Sequence, residues 1–164
     1  GKPVVLDADG LGNLAKMGAG LLREAGGPVV LTPHMAEFSR LCGRPIPEIR
    51  ENRIDLARQF ARDHRVTLVL KDSTTLVAAP GGAVYINDNG NSGLSRGGSG
   101  DTLAGMIASF LAQGAKPEEA AVCGVYLHAL AGDLAAAELT AYGMTITDVI
   151  RHIPRAFREV LGET

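Results

Sequence analysis

The sequence predicts an α/β protein: a mostly parallel sheet with helices on both faces and one β-hairpin at its edge. Three observations carry that expectation. Short apolar, β-branched runs alternate with longer segments of helical period, so strands are joined by crossover helices. The strand runs are apolar at nearly every position, as strands covered on both faces require. One pair of runs is separated only by Pro80-Gly81-Gly82, which makes a tight turn and not a crossover.

Taken in order, Pro3 to Leu6 is the first strand. Leu11, Leu14, Ala15, Gly18, Leu21 and Leu22 recur at helical spacing, so 11–25 reads as a helix stopped by Gly26-Gly27. Val29 to Leu31 is the second strand, and Thr32-Pro33 turns the chain into a helix near 37–41. Pro47 suits the first turn of a longer helix to about Asp63, with Ile49, Ile54, Leu56, Ala57 and Phe60 inside. Val66 to Leu70 is the third strand, and Thr74 to Ala79 with Ala83 to Asn87 form the hairpin. Residues 88–100, rich in Asn, Gly and Ser, form a loop that feeds a helix over 102–112. Pro117-Glu118-Glu119 opens a helix to about Leu139, since Pro fits the first turn and carboxylates meet the positive dipole end. Thr147-Asp148 begins a last helix through Arg158, which Pro154 is expected to kink or divide.

A chain of 164 residues suits one core. Its hydrophobic fraction of 46% and charged fraction of 21% are those of a globular protein. Lys and Arg are scattered singly at a net charge of −2, which argues against nucleic acid or an anionic membrane surface as partner. Cys42 and Cys123 belong to no metal or redox motif and read as buried free thiols. No apolar run approaches the ~18 residues of a membrane span, so no membrane partner is expected and the protein is read as cytoplasmic. The small apolar face of helix 117–139, with Ala120, Ala121, Val125, Ala129 and Ala135 to Ala137, suits packing inside the domain or between subunits, so a homo-oligomer stays open. A buried-type strand begins almost at Gly1, so the chain is read as part of a larger domain.

In sheets of this kind ligands bind beyond the carboxyl ends of the strands. That rule gathers Asp7, Asp9, Thr32 to His34 and Lys71 on one rim. Only one of Asp7 and Asp9 can face the cleft, and Asp9 is the expected one. The strongest signal is Gly97-Gly98-Ser99-Gly100-Asp101-Thr102-Leu103-Ala104-Gly105, where small residues at a helix start let backbone amides approach an anion. Gly98, Ser99 and Gly100 form the expected anion hole. The segment is neither a Walker A loop nor a dinucleotide fingerprint, lacking Gly-Lys-Ser/Thr and carrying Leu103 at the third glycine position. Asp101, in the first turn, is placed to act as general base toward an attacking hydroxyl. Lys71 to Thr75 and His34 are weaker candidates, readable also as a surface turn and a helix cap. His64, His128 and His152 lack partners at ligand spacing and are set aside, His128 as a core or interface residue. No protein-held metal is expected, because too few carboxylates cluster.

Leu6-Asp7-Ala8-Asp9-Gly10-Leu11, Leu31-Thr32-Pro33-His34, Leu70-Lys71 and the block from Gly90 to Asp101 together resemble the bacterial ADP-dependent NAD(P)H-hydrate dehydratases of the ribokinase-like superfamily. Gly-Ser-Gly-Asp alone marks the superfamily; the Gly90 block joined to Thr32-Pro33-His34 narrows it. The resemblance covers essentially the whole chain, and family members carry further residues before the Leu-Asp-Ala-Asp strand. It therefore implies a ribokinase-like fold in which residues 1–164 are the carboxyl-terminal part of one domain, lacking amino-terminal strands. It also implies ADP-dependent dehydration of hydrated NADH or NADPH, with AMP and phosphate as the other products. Under it His34 and Asp101 contact the hydrated dinucleotide, while Lys71, Asp72, Ser73, Thr74, Thr75 and Gly100 hold the adenine nucleotide. Mg²⁺ would accompany ADP, and an NAD(P)H-hydrate epimerase is the implied fused or paired protein. Asp72 stands where glycine is usual, putting a carboxylate where it is expected to repel phosphate. An ATP-dependent ribokinase-like kinase of vitamin precursors and an inactive nucleotide-binding fragment remain the alternatives.

Overall fold

The structure, a computed structural model, describes residues 1–163. Five strands form one sheet in sequential order: β1 (Val4–Leu6), β2 (Val29–Leu31), β3 (Thr67–Leu70), β4 (Thr75–Ala78) and β5 (Val84–Asn87). β1, β2 and β3 are parallel, with Val5 opposite Val30 and Leu31 opposite Leu68. β4 is antiparallel to β3 and β5 to β4, so β4 alone is reversed and the sheet is mostly parallel with an edge hairpin. The reversal starts one strand before the Pro80-Gly81-Gly82 turn, because the loop from Lys71 to Thr74 is too short for a crossover.

Seven α-helices accompany the described strands: α1 (Ala8–Met17), α2 (Met35–Cys42), α3 (Ile46–Glu51), α4 (Arg53–His64), α5 (Ser99–Ala112), α6 (Pro117–Gly143) and α7 (Ile146–Leu161). The period of two along each strand sorts its side chains between the two faces. Leu31, Leu68, Leu70 and Leu76 pack with Leu11, Phe38 and Phe60 of α1, α2 and α4 on one face. Val30, Val69 and Val77 pack with Leu103, Ile107 and Val125 of α5 and α6 on the other. Leu127, Ala131, Met144 and Val149 form a further cluster between α6 and α7.

Several boundaries differ from the sequence-based expectation, each for a local reason. The helix expected over 11–25 starts at Ala8 and ends at Met17, because Gly18 takes φ 98°; a 3-10 segment, Ala19–Glu24, follows. The helix after Pro47 is two helices broken at Asn52 (φ −122°, ψ 29°), and Ile54 just past the break is exposed. Pro154 does not divide α7 into separate helices; it lies on the exposed side, where the carbonyl it frees can be hydrated. Cys123 is exposed and Cys42 half-buried, so neither is the buried thiol expected; Cys123 falls between the inward positions Ala121 and Gly124.

α6 also corrects the reading of apolar runs. With a mean hydropathy of 1.5 over 18 residues, it is long and apolar enough by composition to cross a membrane. Here it lies in the core, with Ala120, Ala121 and Val125 against the sheet layer and Leu127, Ala131 and Leu134 against α7. The small residues that left its partner undecided are thus largely covered within this chain, Ala137 excepted.

Candidate phosphate site at the start of helix α5

The carboxyl ends of β1, β2 and β3 and the start of α5 share one rim. Leu6 ends β1, and Asp7 caps α1 with extended backbone. The next residue, Ala8, has φ 46°, a left-handed conformation that costs a residue with a Cβ about 1–2 kcal/mol. With the chain turned there, Lys71 Nζ, from the end of β3, donates to Asp7 Oδ1 at 3.0 Å. The pair is largely covered, at 22% and 15% side-chain exposure, so solvent screens it less than a surface ion pair. Asp9, the residue expected to face the cleft, is in the first turn of α1 and exposed, and Asp7 takes the inward position.

α5 begins where Gly98 takes φ 85°, a conformation natural to glycine, and a Cβ there would also lie 3.3 Å from Ile146. Gly100 follows in the first turn. A Cβ on it would stand 3.2 Å from Asp7 Oδ2 and 3.3 Å from Lys71 Nζ, so the missing side chain lets this ion pair reach the helix terminus. The Ser99 amide is directed at the Arg96 carbonyl at 3.3 Å, and its side chain is buried. Ser99 is therefore not the anion donor expected from sequence. The first amides of a helix have no intrahelical acceptor, so the open donors are those of Gly98, Gly100 and Asp101. Asp101 is the acidic residue of this turn and its side chain is exposed, as contact with a bound molecule requires.

His34 lies at the end of β2, bridged in parallel register to Lys71, whose amide donates to Pro33 O at 2.8 Å. Its Nδ1 accepts from the amides of Ala36 and Glu37 at 3.1 and 3.3 Å, and Glu37 Oε2 accepts the His34 amide at 2.8 Å. The capping interpretation of His34 is thus realised. An Nδ1 that accepts carries no proton, which makes Nε2 the donor of the ring; it lies 3.5 Å from Glu37 Oε1 on a half-exposed side chain.

Arg53 Nη1, at the start of α4, donates to Asp72 Oδ2 at 3.2 Å, so the carboxylate expected to repel phosphate is paired with a guanidinium. Ser73 is exposed and Thr74 half-buried in the same loop, while Thr75 opens β4 opposite Asn87.

Residues that sequence reasoning set aside or missed hold the loop before α5. Asp133, on α6, accepts the Gly90 amide at 2.8 Å and Asn91 Nδ2 at 2.9 Å. The Arg96 guanidinium donates to the carbonyls of Met144 and Ala141, closing the end of α6 where Thr140 leaves helical geometry. His128 is buried beneath the terminus, its Nε2 3.4 Å from Ser99 Oγ. Burial first, and the Lys71 ammonium second, push its pKa down to about 4. A separate cavity of about 580 Å³ opens at the opposite rim, lined by Val29, Thr67, Pro80, Tyr85 and Cys123, and holds none of these residues.

The arrangement can bind an oxyanion between open amides and an ammonium, with a solvent-facing carboxylate beside it. Residues 1–155 match the family model described as NAD(P)H-hydrate dehydratase. The chain belongs to that family. It is 42% identical over 157 residues to the bifunctional NAD(P)H-hydrate repair enzyme Nnr of Thermofilum pendens, covering 96% of this chain and 30% of that protein. Among solved structures, it superposes with a TM-score of 0.83 and 35% identity on an ADP/ATP-dependent NAD(P)H-hydrate dehydratase from Bacillus subtilis co-crystallized with ATP/Mg²⁺, covering 96% of this chain and 55% of that one. A ribokinase-like superfamily protein from Enterococcus faecalis matches at a TM-score of 0.78 and 32% identity, over 94% of this chain and 52% of that one. The ribokinase-like fold implied by the sequence resemblance is thereby established. The chain spans between about a third and about half of the length of these family members.

Proposed function

We propose that the protein carrying this chain converts hydrated NADH or NADPH back to NAD(P)H at the expense of ADP, releasing AMP and phosphate. Family membership and the repair activity named for the relatives support it. The observation that carries it is the convergence of Lys71, the open amides of α5 and the exposed Asp101 on one rim.

Under this reading the terminal phosphoryl group of ADP lies against the amides of Gly98 and Gly100, with Lys71 as counter-charge. Ser73, Thr74 and Thr75 supply hydroxyls toward the rest of the nucleotide, and the backbone of Asp72 completes that loop while its carboxylate stays on Arg53. His34 offers Nε2–H to the hydrated dinucleotide. Asp101 takes the proton as the added hydroxyl attacks phosphorus; the new O–P bond forms while the bond to AMP breaks. The carbon–oxygen bond then breaks, phosphate leaves with its electrons, and the neighbouring carbon loses a proton to restore the ring double bond. Positioning and fixed dipoles do most of this work, since charge grows on the transferred group.

No group of three His, Cys, Asp or Glu side chains converges to ligate a metal among the described residues. Asp7, the carboxylate beside the phosphate position, already accepts from Lys71. The residues present do not fit a resident Mg²⁺ site, so an ion would arrive on the nucleotide, and no step above depends on it. The relatives named as bifunctional support a fused second activity, which we assign to epimerisation of the hydrate. We place the protein in the cytoplasm, where reduced nicotinamide dinucleotides are used.

The test supplies the intact protein with hydrated NADH and ADP. NADH absorbance should return with one AMP and one phosphate per NADH formed. Phosphorylation of a thiazole or pyrimidine alcohol from ATP, with no NADH recovered, would establish the kinase alternative. Nucleotide binding without any turnover would leave the inactive binding module.

A further inference from the structure

One face of α6 underlies the whole loop that delivers α5. Gly90 packs over Ala129, Leu94 packs against Gly132, and Asp133 holds Gly90 and Asn91 by hydrogen bonds. The same face ends, at its amino-terminal side, in His128 under Ser99. The other buried residues of α6 are Ala, Gly, Val and Leu, so a ring with two nitrogens is an exception that packing does not require.

We propose that His128 is a positioning residue for the phosphate site, holding the Ser99 hydroxyl and through it the open first turn of α5 against Lys71. The inference rests on the nucleotide site described above and goes beyond it by assigning a support to that site. Ser99 is the first residue of α5, so a backbone shift of that residue on losing the contact would re-aim the amides of Gly100 and Asp101. A misplacement of about 1 Å at such donors is enough to cost ~100-fold in rate. The ring is neutral near pH 7, because burial and the Lys71 ammonium both disfavour its charged form. A neutral ring exchanges a hydrogen bond with Ser99 without adding a second cation to the Lys71–Asp7 pair. An imidazole held uncharged this way lowers stability in acid, so it is not there to strengthen the core.

The experiment compares His128→Phe, His128→Gln and Ser99→Ala in the intact protein. ADP affinity is read by calorimetry, and KM for ADP and kcat are read from NADH recovery. Phe fills the ring's volume without a nitrogen and should weaken ADP binding about tenfold or more, the scale of one buried hydrogen bond together with displaced donors. Gln places Nε2 near the lost ring nitrogen and should recover most of that affinity. Ser99→Ala removes the other end of the contact and should match the Phe variant, which keeps the test decisive if Phe prevents folding. Wild-type ADP affinity in a folded Phe or Ser99→Ala variant overturns the proposal. So does a Gln variant as weak as Phe when both retain the wild-type Tm. Failure of the dehydratase reading shows instead in the unmutated protein, as ADP binding with no NADH recovered, and leaves the binding comparison intact.

Discussion

His128, like His64, has its pKa lowered mainly by burial, so its contribution to stability falls with pH below the ordinary imidazole range. In the unfolded chain its pKa is near 6.5, and in the fold it is pushed down to about 4 by burial and then by Lys71. Between those values the unfolded chain binds a proton that the folded protein refuses, so stability falls as pH drops from about 6.5 toward 4. The full loss is 6.5 − 4, or about 2.5 pH units at 1.36 kcal/mol each, roughly 3 kcal/mol. About 2 kcal/mol of it is reached by pH 5. Urea unfolding from pH 7.5 to 4.5 would measure this by comparing the protein with its His128→Gln variant, since other titrations largely cancel in the difference. The unmutated protein should lose about 2 kcal/mol more than the variant by pH 5. Its His128 ring protons should hold their chemical shifts down to about pH 5. Parallel stability curves, or a ring that titrates near 6.5, would refute the claim that His128 is buried and neutral beside Lys71.

Asp101→Asn should lower turnover at least ~100-fold, the range for losing a general base, while ADP binding measured by calorimetry persists; equal turnover would remove Asp101 from the mechanism. Arg53→Ala should weaken ADP binding by freeing the Asp72 carboxylate, and adding Asp72→Gly should restore it; a double-mutant cycle on the affinities reads the coupling, about 0.5–1 kcal/mol for a pair partly open to solvent. Gly93→Ala should cost about 1–3 kcal/mol in chemical denaturation, because its Cβ would stand 2.6 Å from Met144 Sδ and 2.8 Å from the Ala141 carbonyl. Ala8→Gly should raise Tm by an amount equivalent to about 1 kcal/mol, since glycine adopts φ 46° without the clash that alanine meets; a lowered Tm would show that Ala8 is not held there.

The fold was readable where a local pattern and a tertiary demand coincide. Leu68 and Leu70 on one face and Val69 on the other are both buried because both faces carry helices, and the unbroken apolar run says so directly. The hairpin was readable because Pro80-Gly81-Gly82 leaves no length for a crossover. The breaks at Gly18 and Asn52 were not, since the apolar spacing carries on across both and only the backbone angles interrupt it. Pro154 failed as a breaker for the opposite reason: its cost depends on whether the freed carbonyl meets water, and that is set by which side of α7 faces outward.

In the site, the part readable in sequence was what lies within one loop or one strand end: the glycines before α5, Asp101, Lys71, His34. Residues that act across the chain gave no local signal. His128 meets Ser99 from 29 positions away, and Asp133 meets Asn91 from 42. Asp7 was passed over for Asp9 because the choice is made by Ala8 entering the left-handed region, which composition around it does not announce. Yet these unread features share a property. A left-handed alanine, an ion pair largely withdrawn from water and an uncharged buried histidine each lower stability relative to a relaxed, apolar alternative. A chain selected for its core alone would shed such features or scatter them. Here Asp7, Lys71 and Ser99 over His128 meet at the open turn of α5, beside Ala8. Asp7, Ala8, Lys71 and His128 lie outside the glycine-rich motif, and their concentration at its turn supports the chemistry proposed for this rim.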